Sequence, residues 1–142
     1  MEFANDHDFD NIVLIQATSP LLRKKDLDCG FETMEMPETD SVMSVVLQKR
    51  LNWKYDDDKY IYPLNYDYCH RPRRQDFDGY LTENGAFYIT TRQKLLESKC
   101  RISGRIRAVE MCEESFYEID EPADFELVAE LLRRQIEREG NL

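Results

Sequence analysis

Three arginines stand almost together in His70-Arg71-Pro72-Arg73-Arg74-Gln75-Asp76, in a chain whose 29 acids outnumber its 19 bases and leave a net charge of −10. Arginine grips a carboxylate or phosphate through a rigid bidentate fork, and one charge-assisted hydrogen bond contributes about 1.5–3 kcal/mol. The cluster reads either as an anion site or as a solvated loop, a nuclear address or a nucleic-acid patch. Glu118-Ile119-Asp120, with Asp124 just beyond Pro122, offers a second chemistry. Residues two apart on a strand share a face, so the two carboxylates can share one divalent cation; the competing reading is surface charge. Magnesium needs few protein carboxylates, because water and phosphate oxygens fill its shell.

Two further segments carry polar groups that suit a ligand. Gln16-Ala17-Thr18-Ser19-Pro20 follows an apolar run. In open α/β sheets, ligands gather at the carboxyl ends of strands, and Gln16 offers both a donor and an acceptor there. The alternative is a plain turn before a helix. In Glu83-Asn84-Gly85-Ala86-Phe87-Tyr88, Asn-Gly is a turn signal, and Asn84 and Tyr88 matter for binding only if they converge on one ligand.

These residues need a scaffold. Asn11–Ile15 reads as a strand buried on both faces of a parallel sheet, and Ser41–Val46 as a second buried strand. Between them, Asp26–Met36 reads as a helix that Gly30 weakens and Pro37 ends, giving a βαβ unit. Gly85–Thr90 is a strand, Thr91 caps a short helix over Arg92–Ser98, and Arg105–Met111 alternates as a half-exposed strand does. Tyr117–Asp120 is expected to be a short strand. The last helix should bury Phe125, Val128, Leu132 and Ile136, with Leu131 beside them, and begin with Asp124 in its first turn. Residues 47–80 break this pattern. They carry Asp56-Asp57-Asp58 and interleave Tyr55, Tyr60, Tyr62, Tyr66 and Tyr68, which suits an excursion, with either a partner surface or a satellite cluster in those tyrosines.

The 142 residues suffice for a single domain over 1–142, and 42% hydrophobic content with 8 Tyr and 7 Phe argues against disorder. So acidic a chain is unsuited to wrapping nucleic acid or an anionic membrane. Cys29, Cys69, Cys100 and Cys112 form no C-x-x-C pair, and with only His7 and His70 no zinc site is legible. No leader pattern opens the sequence and no apolar run approaches the roughly 18 residues of a membrane span, so the expectation is a soluble, cytoplasmic protein.

Taken in order, these segments resemble one family. Ile12-Val13-Leu14-Ile15-Gln16-Ala17-Thr18-Ser19-Pro20 resembles the "LLQPTSP/LVQATSP" segment of N-acylneuraminate cytidylyltransferases (CMP-sialic acid synthetases). Asp40–Val46 resembles their "DSVFSVV" strand. Arg71–Gly79 followed by Glu83–Tyr88 is similar to their "RPRRQDWDG…ENGSFYF" signature, and Ser115–Asp120 falls where they carry "SVDID". The resemblance implies a three-layer, Rossmann-like nucleotide-diphospho-sugar transferase fold with a mixed sheet. It also implies transfer of CMP from CTP to a nonulosonic acid such as N-acetylneuraminate, with pyrophosphate released and Mg²⁺ as cofactor. By position, Glu118 and Asp120 match the catalytic, metal-binding acids, and Gln16, Arg71, Arg74, Asn84 and Tyr88 match residues of the sugar site. Lys54 matches a lysine that reaches the sugar from a partner subunit, and 47–80 matches the excursion that builds a homodimer.

Two positions depart from the pattern. Glu118 stands for an aspartate, and Thr82 stands where some members carry a basic residue. Residues 1–11 also lack the family's basic, glycine-containing "ARxGSKGxxxKN" start. The resemblance therefore implies a carboxyl-terminal portion, truncated at the amino end, that carries the sugar half and the metal acids. A non-catalytic dimeric sugar-binding module, or a cytidylyltransferase for legionaminate or pseudaminate, is the alternative.

Overall fold

Val42, Val45 and Val46 alternate with Ser41 and Ser44 in one strand, and all five are buried. A strand hidden on both faces must satisfy its hydroxyls internally. Ser41 Oγ bonds Thr90 Oγ1 at 2.9 Å, and Ser44 Oγ donates to Phe87 O at 3.2 Å while accepting from Phe87 N at 3.0 Å. This strand, β2 (Ser41–Gln48), lies inside a four-stranded sheet in the computed structural model, which describes residues 2–140. The elements before it are α1 (Glu2–Asp6), β1 (Asn11–Ile15) and α2 (Lys24–Met34). After it come β3 (Trp53–Tyr55), β4 (Ile61–Pro63), β5 (Tyr80–Thr91), α3 (Arg92–Ser98), β6 (Ile106–Met111) and α4 (Pro122–Gly140). The chain divides into two units, Met1–Val46 with Glu83–Leu142, and Leu47–Thr82.

In the larger unit the strand order is β1-β5-β2-β6, with β1 antiparallel to β5 and β2 parallel to β6. The expected α/β class and mixed sheet are borne out. The core gathers Met34, Val42, Val46, Phe87, Ile89, Val109 and Met111. Fully burying one such side chain is worth about 1.5–3 kcal/mol. Gly30 has a positive role here. A Cβ on it would stand 2.7 Å from Phe87 Cε2 and 3.1 Å from Ile89 Cδ1, so glycine lets α2 lie close against β5.

Several expectations are corrected. Strand β1 is not buried in a parallel sheet: it ends the strand order, pairs antiparallel with β5 and leaves Leu14 and Ile15 47% and 51% exposed. Strands β1 and β2 are not neighbours, because β5 lies between them. Helix α2 starts at Lys24 rather than Asp26, since the Asp26 carboxylate accepts from Arg23 N at 3.1 Å and caps the first turn. It ends at Met34, short of Pro37, whose ring disfavours helical backbone in the residue before it. Tyr117–Asp120 is not a strand; it is irregular chain in which Tyr117 N donates to Glu114 O at 3.2 Å and Ile119 N to Thr18 O at 2.9 Å. In α4 only Val128 is buried among the described residues, while Phe125 and Ile136 are 61% and 60% exposed. The apolar stripe marks one face of the helix, but too little packs over its two ends. Helix α1, which the sequence reading did not anticipate, is held by Arg92 Nε, which donates to Ala4 O at 2.9 Å and His7 O at 3.1 Å.

The smaller unit is built on an antiparallel hairpin that pairs Trp53 with Pro63, Lys54 with Tyr62 and Tyr55 with Ile61. The acidic run has a structural part in its turn, where Asp56 Oδ1 accepts from Tyr60 N at 2.8 Å and Asp58 N at 3.1 Å. Asn65 staples the base of the hairpin: its Oδ1 accepts from Asn52 N at 2.8 Å and its Nδ2 donates to Arg50 O at 2.9 Å. Gly79, at φ +84°, closes the unit. A Cβ there would stand 2.8 Å from Gln48 O and 3.2 Å from Lys49 Cγ.

Candidate functional site

The larger unit brings together Gln16, Gly85 and Glu118. Gln16 leaves the end of β1, where its N–H donates to Ala86 O at 3.2 Å. Gly85 is not the turn expected of an Asn-Gly pair. It sits within β5 at φ +69°, where a side chain would collide with Gln16 Oε1 and reach 2.8 Å from Glu118 Oε1. A glycine inside a strand marks a close approach, and here the approach is of two polar side chains.

Hydrogen bonds from three sides hold the acidic segment in place. Ile119 N reaches Thr18 O in the turn after β1. The Asp124 carboxylate accepts from Asp120 N at 3.1 Å and Glu121 N at 2.9 Å. Asn84, only 1% exposed, donates from Nδ2 to Ser115 O and Ser115 Oγ, each at 3.1 Å. A backbone carbonyl can only accept, so the amide nitrogen must face Ser115, and Asn84 Oδ1 is left buried without a partner among the described residues. Asn84 thus braces the turn leading into Glu118.

Charge in this region is uneven. Glu83 accepts from the Tyr88 hydroxyl and from Arg101 Nη2, the latter at 2.9 Å, and the Tyr88 bond holds its carboxyl below the usual glutamate range. Burial and the Glu83 bond push the Tyr88 hydroxyl up to about 12, and the Arg101 guanidinium lies 4.4 Å from the Tyr88 ring centre. Glu118 has no such relief. Burial, with the Asp120 and Glu83 charges nearby, holds its carboxyl above the ordinary range. Neither Glu118 nor Asp120 has an ion-pair partner among the described residues. Such an uncompensated acidic pair suits a cation. No cluster of three or more His, Cys, Asp or Glu side chains among the described residues is arranged to hold a metal ion by itself.

The other sequence-predicted residues belong to the smaller unit. Arg71 and Arg74 line a cavity of about 520 Å³ together with Lys49, Arg50, Asn52 and Phe77. Lys54 lies on β3 and does not line it. Glu83, Arg101, Lys49 and Arg50 were missed from the sequence. Lys49-Arg50 is a visible basic pair, but the approach to Arg71 depends on Gly79 and Asn65. Glu83 and Arg101 are 18 positions apart and meet only through the fold.

Comparison with known proteins gives three findings. The chain matches no protein-family model. It is 37% identical over 137 residues to N-acylneuraminate cytidylyltransferase of Oncorhynchus mykiss, covering 94% of this chain and 31% of that protein. It is 36% and 34% identical to N-acylneuraminate cytidylyltransferases A and B of Danio rerio, covering 94% and 88% of this chain and 32% and 30% of those proteins. Among solved structures it superposes on 4-diphosphocytidyl-2C-methyl-D-erythritol synthase of Anaerococcus prevotii with a TM-score of 0.61 at 12% identity, covering 93% of this chain and 64% of that one. That likeness establishes the fold. The resemblance carried by the motifs is therefore borne out: along nearly its whole length this chain is similar to N-acylneuraminate cytidylyltransferases, and it spans about a third of the length of those relatives.

Proposed function

We propose that the chain carries the sugar site and acidic segment of an N-acylneuraminate cytidylyltransferase. Such an enzyme makes a CMP-sugar and pyrophosphate from CTP and a nonulosonic acid such as N-acetylneuraminate. The observation that carries the reading is the convergence of Gln16, Gly85 and the uncompensated Glu118–Asp120 segment after β1. In the reaction a sugar hydroxyl oxygen bonds to the α-phosphorus of CTP, the bond from that phosphorus to the leaving pyrophosphate breaks, and the hydroxyl proton is lost to solvent or a base. Gln16 and Tyr88 would orient the sugar, with Asn84 bracing the acids behind them. In the smaller unit, taken by itself, Arg74 and Arg71 would take a carboxylate.

Glu118 and Asp120 would hold Mg²⁺, whose remaining ligands would be water and phosphate oxygens. Bound there, the ion would neutralise charge on the phosphates. Lys54 would reach a sugar bound by the partner in a homodimer. The exposed Trp53, Tyr55, Tyr60, Ile61, Tyr62 and Tyr68 of the smaller unit support such an interface. Four free cysteines favour a cytoplasmic setting, and no helix among the described residues is long and apolar enough to cross a membrane.

The test is product formation. The purified protein, given Mg²⁺ and N-acetylneuraminate, should release pyrophosphate and form a CMP-sugar of the expected mass with CTP but not with UTP. Arg74→Ala should weaken sugar affinity about tenfold or more. Sugar binding without any turnover would point to a binding module, and equal use of UTP would contradict the reading.

A further inference from the structure

The cavity of the smaller unit carries more positive charge than one sugar carboxylate requires. Lys49, Arg50, Arg71 and Arg74 all line it, and its lining includes no aspartate or glutamate. Lys49 and Arg71 have no ion pair among the described residues. Arg50 Nε is turned to the neutral Gln48 Oε1 at 2.8 Å, which fixes the guanidinium without cancelling its charge. Lys49, Arg50 and Arg71 around one concavity repel one another, and an anion with several charges offsets that repulsion best.

The arrangement is built. Asn65 bonds Asn52 N and Arg50 O, and thereby fixes the chain that bears the first two cations. Gly79 admits the backbone of Gln48 and the stem of Lys49 against the returning chain. Pro72, also in the lining, stiffens the backbone between Arg71 and Arg74. The cavity, about 520 Å³, falls within the ordinary range for small-molecule sites, about 300–1,000 Å³.

We infer that this pocket binds an oxyanion bearing at least two negative charges, a di- or triphosphate chain, and that Lys49 and Arg50 are gripping residues of that site. The inference goes beyond the sugar-carboxylate role proposed for Arg71 and Arg74, and it does not require turnover. Free pyrophosphate and the phosphate tail of a nucleoside triphosphate share this chemistry.

Calorimetric titration of the full chain with pyrophosphate tests it, without sugar and with ionic strength held constant. One saturable site is expected, and Lys49→Ala and Arg50→Ala should each weaken it about tenfold or more. Lys49→Gln keeps the side-chain stem and should weaken binding similarly, which separates lost charge from lost packing. Arg105→Ala, outside the pocket, should leave binding unchanged. If CTP displaces pyrophosphate from this site, the natural occupant is a triphosphate tail; if CTP does not, it is the free anion. The inference is overturned by the absence of saturable binding, by pocket variants that fold and bind like the wild type, or by an equal loss in Arg105→Ala. Titration with N-acetylneuraminate alone reports separately on the sugar reading.

Discussion

The Asp124 carboxylate accepts the backbone N–H of Asp120 at 3.1 Å and that of Glu121 at 2.9 Å. With Pro122 as the first residue of α4, Asp124 is the third, and an acid there that reaches back to the residue before the helix forms half of a capping box. One side chain thus starts the helix and fixes the peptide that carries a candidate catalytic carboxylate.

Asp124→Ala should lower stability by about 1 kcal/mol, the usual effect of losing a helix cap. Asp124→Asn keeps an acceptor oxygen and should recover most of it. Denaturant unfolding of the two variants checks this, and an Asp124→Ala protein as stable as the wild type would show that the bonds contribute nothing.

Gly85→Ala should be far more damaging than its size suggests. The backbone is left-handed at φ +69°, which costs an L-residue about 1–2 kcal/mol, and the new methyl group would meet Gln16 and Glu118. We expect a loss of about 2 kcal/mol or more in urea unfolding, together with displacement of Glu118. An unchanged midpoint would mean that the close approach does not exist in solution.

The Glu83–Tyr88–Arg101 group predicts pH effects of opposite sign at the two ends of the scale. Folding holds the Glu83 carboxyl low, so its contribution is present above the ordinary glutamate range and is lost as pH falls below it. Folding raises the Tyr88 hydroxyl to about 12, so its contribution is complete below the ordinary tyrosine value of about 10 and fades between there and about 12. An ultraviolet titration should show one tyrosinate appearing near 12 and absent in Tyr88→Phe. Melting midpoints of Glu83→Gln and the wild type should converge as pH falls. A Tyr88→Phe curve superimposable on the wild type would remove the basis for this group.

The elements were more legible in the sequence than their surroundings. The valines and serines of β2 announced a strand buried on both faces, and Thr91 announced α3, which its hydroxyl caps by accepting from Lys94 N at 3.2 Å. Apolar content also marked β1 as a strand, but its place at the end of the sheet depends on which strand pairs with it. Phe125 and Ile136 show the same limit, since periodicity names a face and not what covers it. The alternation of Tyr117–Asp120 imitates a strand, yet the segment makes a single backbone bond to the turn after β1. Gln16, Glu118 and Asp120 were visible as residue types in motif order. Glu83 with Arg101, and Lys49 with Arg71, were not, because the fold alone makes them neighbours.

The measurement that bears most directly on the account is pyrophosphate release from CTP and N-acetylneuraminate by Glu118→Gln and Asp120→Asn, beside the wild type. Both substitutions keep the shape of the side chain and remove its charge. Each variant should fold normally and lose about a hundredfold or more in turnover, the scale of losing one preorganised electrostatic contact. Variants that turn over at the wild-type rate would show that the segment held between Gln16 and Asp124 is not the reacting centre.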